Sequence, residues 1–176
     1  TDNDFEDLYA FLNKPEELVH SLKEMGFTAL KMWPFDEAAI RSGGQTIPGK
    51  DLHEGVDIFR RTREAAGSDF DIMLEMHSLW SVPAATVIAH AVEEFSPFWI
   101  EDPFRHESTE ALIRFKNSIN SPLTTGETTG TRWDHHRLLK SNAIDHLMID
   151  HESDGGDELL LCPRIHFCGE CLYAQV

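Results

Sequence analysis

Residues 70–77, FDIMLEMH, form a short apolar run that stops abruptly at Glu75, Met76 and His77. Side chains alternate along a strand, so residues 75 and 77 share a face if the strand continues that far. The same ending recurs along the chain. FWIE closes at Glu101 and TTGE at Glu127, each 26 residues after the last, and DHLMID closes at Asp150, 23 residues further on. Between these runs lie segments with helical spacing: 51–67, 82–95, 108–119 and 132–142. A helix over 16–25 comes before them, opened by Asn13, Lys14 and Pro15 and stopped by Gly26, followed by the strand-like FTALKMW. Strand and helix therefore alternate through five strands, which predicts an α/β fold with parallel strands and crossover helices. The strand runs are almost continuously apolar, as parallel strands covered on both faces require. The stretch PFDEAAIRSGGQTIPGK, 34–50, reads as a long functional loop.

In such a fold the acids fall at the C-terminal ends of successive strands, where active sites form. One glutamate in that position is an ordinary charge favoured by a helix dipole. Three at matched positions converge and repel, and a hard divalent cation with oxygen ligands relieves the repulsion. Glu75, Glu101 and Glu127 are therefore expected to bind metal, with Mg²⁺ favoured. Lys31 ends the first strand, and beside three acids its expected role is contact with an anionic substrate. His77, at the rim of this site, is expected to do acid/base chemistry.

Composition sets the limits. The chain has 176 residues, 41% hydrophobic and 26% charged, enough for one domain with a real core. A formal net charge of −16 speaks against nucleic acid and against an anionic membrane surface. No apolar run approaches the roughly 20 residues that span a bilayer, and no signal peptide is present, so the cytoplasm is the expected location. The chain begins at Thr1 without a methionine, which is consistent with a missing N-terminal segment. Cys162, Cys168 and Cys171 all lie near the C-terminus and do not suggest a disulfide framework.

Five stretches, ALKMWPFD, IMLEMHSLW, PFWIEDPF, TTGE and MIDHESDGG, resemble in order and spacing the mandelate racemase and muconate-lactonising branch of the enolase superfamily. The resemblance implies a TIM-type (β/α)7β barrel with a separate capping domain, of which this chain holds about strands 2–6. It also implies Mg²⁺ held by Glu75, Glu101 and Glu127, with glutamate at 75 where aspartate is common. The implied chemistry is removal of a proton α to a carboxylate. Within the branch, racemases and lactonising enzymes carry Lys-x-Lys on the second strand, whereas here Lys31 is followed by Met32 and Trp33. The Glu75-Met76-His77 pattern instead resembles galactonate-type sugar-acid dehydratases, in which this histidine protonates the leaving 3-hydroxyl. Asp150 then matches an aspartate that tunes a base histidine on a later strand. The resemblance further implies a small-molecule sugar-acid substrate as partner and, for the full-length protein, a homo-oligomer.

These motifs delimit a partial barrel domain over 1–156 and a Cys-containing tail over 157–176 that does not match the family. The capping domain and the strand bearing the base histidine are not in the sequence. The fragment is therefore expected to be weakly active or inactive, and poorly stable or self-associating. The tail is read as unstructured or improvised, against the alternative of a zinc site at Cys162, His166, Cys168 and Cys171. The function read from the sequence is Mg²⁺-dependent dehydration of a sugar acid. The alternatives are a racemase or epimerase of the same branch, and a non-catalytic barrel fragment with a zinc-binding tail.

Overall fold

In a computed structural model of the protein, residues 7–149 are described in full, together with the backbone of two strands at 165–168 and 171–175. Two helices, α1 (Asp7–Asn13) and α2 (Pro15–Glu24), lead into β1 (Ala29–Met32), α3 (Asp36–Ser42) and α4 (Gly49–Ala66). The chain continues through β2 (Asp71–Glu75), α5 (Val82–Val92), β3 (Ile100–Glu101), α6 (Thr109–Lys116), β4 (Leu123–Thr125), α7 (Arg132–Lys140) and β5 (His146–Ile149). The last elements are β6 (Ile165–Cys168) and β7 (Cys171–Gln175).

Strands β1 to β5 pair in parallel and in sequence order, so every crossover advances the sheet in one direction. This is the winding of a barrel wall rather than of an open doubly wound sheet. Register follows the spacing of the acids: Glu75 lies beside Glu101, and Glu101 beside Thr124. Both faces of the sheet are covered. On the helical side Ile72, Leu74 and Leu123 pack in one core with Phe59, Ile88, Leu112 and Phe115. On the other side Met73, Trp99 and Met148 form a smaller cluster with Ala29 and Phe98 against it. The helices start where local chemistry favours it. Ser108 and Thr131 accept hydrogen bonds from the backbone N–H groups of Ala111 and Asp134, satisfying otherwise orphaned donors. Proline sits in the first turn of α2 and α5, where its missing N–H costs nothing.

Three expectations change. Residues 34–50 are not a continuous loop: α3 forms within them, with Asp36 and Glu37 in its first turn, Ala38 and Ala39 buried, and a left-handed Gly43 as its stop. The strand ending at Glu75 does not reach His77, because His77 and Ser78 adopt left-handed conformations with φ of 48° and 56°. Alternation therefore does not set the direction of His77; a tight turn does. The tail is not wholly irregular, since β6 and β7 form an antiparallel hairpin that extends the sheet beyond β5. The side chains read as a zinc site, at 162, 166, 168 and 171, lie outside the described residues, as does Asp150.

Two glycines bear on the site. At Gly44, with φ of +70°, a Cβ would lie 1.8 Å from the Leu79 carbonyl oxygen. Only a bare backbone lets the loop after β1 press so closely on the loop after β2. Ser81 fastens the contact, its N–H donating to the Gly44 carbonyl at 2.8 Å and its hydroxyl to the Gln45 carbonyl at 3.2 Å. At Gly126, φ is +135° and a Cβ would meet the Met148 carbonyl oxygen at 2.5 Å, so glycine here lets the chain turn tightly from β4 into Glu127. Among the described residues no helix is long and apolar enough to cross a membrane.

Candidate metal centre

Glu75 and Glu101 are the last residues of β2 and β3, and Glu127 follows β4 after the Gly126 turn. One carboxylate oxygen from each lies within 4.8 Å of the others. The oxygen ligands of one Mg²⁺ at about 2.1 Å span at most about 4.2 Å, so small side-chain rotations close the set. An all-carboxylate donor group suits a hard cation and not a soft one. The three glutamates predicted from their spacing are thus brought together.

Glu75 and Glu101 are essentially inaccessible to solvent. Glu75 Oε1 accepts the N–H groups of Met76 and His77 at 2.9 and 2.8 Å, and Glu101 Oε2 accepts the Trp99 indole N–H at 2.9 Å. The Lys31 ammonium donates to both carboxylates, 3.0 Å from Glu75 Oε2 and 3.0 Å from Glu101 Oε1. Burial opposes the charge on Lys31, yet Glu101 and Glu75 outweigh it and hold its pKa above the ordinary lysine value. The two acids are driven apart. Burial and the neighbouring Glu75 push Glu101 up to about 8. Glu75 is buried too, but Lys31 and the His77 N–H draw its pKa below normal. Two like charges in a dry site do not ionise equally, and the one with the better donors keeps the charge.

His77 stands at the rim, its Nδ1 2.8 Å from Asp36 Oδ2 and its ring edge-on to Trp33, centroids 5.7 Å apart. The Asp36 hydrogen bond raises the His77 pKa, burial opposes it, and Glu75 adds to the rise. Asp36 comes from the stretch read as a loop, and its role was not anticipated. The sequence signal is slight, an acid three residues after Trp33 in KMWPFD. Asp102 was also missed. It is buried with φ of 40°, and its carboxylate accepts a hydrogen bond from the Thr125 hydroxyl. Burial lifts it to about 6, against the pull of that hydrogen bond. Asp102 and Thr125 thus tie the end of β3 to the end of β4.

A parallel α/β wall with carboxylates converging at its C-terminal strand ends defines a barrel-type acidic site. The family described as Enolase C-terminal domain-like matches residues 15–158, and the chain belongs to it, within the mandelate racemase branch of the enolase superfamily. A solved enolase of the mandelate racemase subgroup from Agrobacterium tumefaciens is 40% identical, with a TM-score of 0.79 over 82% of this chain and 40% of its own. An enolase protein from Sargasso Sea environmental sequence is 33% identical, with a TM-score of 0.80 over 84% of this chain and 40% of its own. The D-gluconate/D-galactonate dehydratase of Picrophilus torridus is 29% identical over 145 residues, 81% of this chain and 36% of that protein. The chain thus spans well under half the length of these relatives.

Proposed function

We propose that this chain carries the metal-binding and proton-donating side of a Mg²⁺-dependent sugar-acid dehydratase. The observation that carries the reading is the convergence of Glu75, Glu101 and Glu127 beside a histidine already oriented by a carboxylate. The three glutamates would hold Mg²⁺, which when bound supplies Lewis-acid stabilisation of the charge that develops on the substrate carboxylate. Lys31, which the resemblance leaves open as a contact to the substrate carboxylate or as a second base, is held as a cation and so is a poor base and a good partner for that carboxylate. Asp36 fixes the His77 ring through Nδ1, leaving Nε2 to deliver a proton to the leaving 3-hydroxyl. The raised pKa of His77 favours the protonated form that a general acid needs. Asp150 is assigned, by resemblance, to partner a base histidine on a later strand.

The relative from Picrophilus torridus supports gluconate and galactonate as the first substrates to try. The test is formation of 2-keto-3-deoxy acid from either sugar acid with Mg²⁺, comparing the native chain with His77→Asn. The substitution is expected to lower dehydration while leaving Mg²⁺ binding intact. Equal rates, measurable above the metal-free background in both proteins, would reject the acid role of His77. Solvent deuterium entering at C2 without loss of water would assign a racemase instead.

A further inference from the structure

The loops that follow β2, β3 and β4 enclose a second recess, of about 240 Å³, lined among others by Ser78, Arg105, His106, Thr128, Asp134 and Arg137. It adjoins the metal centre. Ser78 follows His77 and Thr128 follows Glu127 in the chain, and His106 Nδ1 lies 3.4 Å from the Thr125 hydroxyl that holds Asp102. None of these lining groups has a part in the chemistry described above.

The wall of the recess is polar but balanced. Arg105 donates through Nε to Glu107 at 2.7 Å, and Arg137 pairs with Asp134 at 3.1 Å, so each arginine has N–H groups left over beside a carboxylate. Burial lowers the pKa of His106, which is therefore neutral near pH 7 and presents one donor and one acceptor. Ser78 lines the recess, and its hydroxyl oxygen is buried without a hydrogen-bond partner. An anion entering here would meet carboxylates that already neutralise both guanidinium groups. A hydroxyl both donates and accepts, and a row of hydroxyls satisfies such a wall without adding charge.

We infer that this recess receives the hydroxylated end of a sugar-acid chain whose carboxylate end lies at the three glutamates. The inference rests on the sugar-acid reading and adds the part of the site that measures substrate length. Arg137 is the natural residue to test, because it lies on the exposed side of α7 and supports no core.

Binding to the full chain is followed by NMR, reading the His106 ring, the backbone amides of 128–130, and the His77 ring. Glucitol, which has no carboxylate, is expected to shift the signals of 106 and 128–130 without Mg²⁺. With Mg²⁺, gluconate is expected to shift these and His77, and glycolate, which has no distal hydroxyls, His77 alone. Arg137→Ala is expected to weaken gluconate about tenfold, the worth of one hydrogen bond to a charged group, and to leave glycolate unchanged. Unchanged gluconate affinity in Arg137→Ala overturns the inference. So does gluconate acting at His77 with no effect at 106 and 128–130, an outcome that leaves the dehydratase reading standing. Inorganic phosphate displacing glucitol would make the recess an anion site and also overturns it. Glucitol shifts with no Mg²⁺-dependent effect of gluconate at His77 would cut the recess off from the three glutamates and overturn the inference together with the dehydratase reading.

Discussion

Glutamine in place of Glu101 is expected to lower Mg²⁺ affinity by more than the roughly 10–100-fold that loss of a mere outer-shell partner costs. Titration calorimetry of the two proteins measures it. Glutamine matches glutamate in size and its carbonyl oxygen can accept the Trp99 indole N–H, but its amide then replaces the oxygen that accepts from Lys31, so circular dichroism of the variant accompanies the titration. What goes is the charge. In the metal-free chain Glu101 titrates near 8 against an ordinary 4.5, so its protonated form is favoured by folding. That contribution to stability is complete below about 4.5 and disappears as the pH rises through about 8. A cation needs the ionised form, so Mg²⁺ binding to the native chain displaces a proton and strengthens with pH across the same interval. The glutamine variant has no such proton to release, and its residual binding loses this pH dependence. Native-like Mg²⁺ affinity in Glu101→Gln would remove Glu101 from the metal site.

Methionine at Lys31 is expected to destabilise the metal-free protein by about 3 kcal/mol. For a chain of this size that lowers the melting temperature by about 6–12 °C. The methionine fills similar space, but Glu75 and Glu101 lose the cation they share at 3.0 Å. The loss stays at the lower end for a broken buried pair because Glu101, titrating near 8, already carries its proton at neutral pH and leaves Glu75 as the charge that Lys31 balances. Saturating Mg²⁺ is expected to restore most of the melting temperature, because Glu75, Glu101 and Glu127 would hold a divalent ion that supplies the missing positive charge. Thermal melts with and without Mg²⁺ decide the matter. A variant as stable as the native chain, or one that Mg²⁺ does not rescue, would show that Lys31 does not hold the two carboxylates together.

Much of this was legible in the sequence for a simple physical reason. Parallel strands buried on both faces leave long apolar runs, and an acid that interrupts such a run is conspicuous. Glu75 and Glu101 stood out in this way, and their equal spacing carried over into the register that sets them side by side. Position along one strand is a local property. The direction of His77 is not, because it depends on two successive left-handed residues that no apolar pattern announces. Asp36 pairs with His77 across 41 positions of chain, through a turn of helix folded inside a stretch rich in glycine and proline. Asp102 was hidden by its neighbour: in FWIED the glutamate explains the motif, and the following aspartate reads as ordinary loop polarity. The β6–β7 hairpin escaped notice because its residues lack the alternation with helices that marks the rest of the chain.

The bare backbone at Gly44 has a consequence for how such a site can diversify. It locks the segment that carries Asp36 against the one that carries His77, with no room for even a methyl group between them. Neither loop can be lengthened, shortened or exchanged by itself without parting the other from its counterpart. The two therefore form a single unit of inheritance: a lineage that acquires a new loop after β1 must acquire a matching one after β2, or give up the oriented histidine.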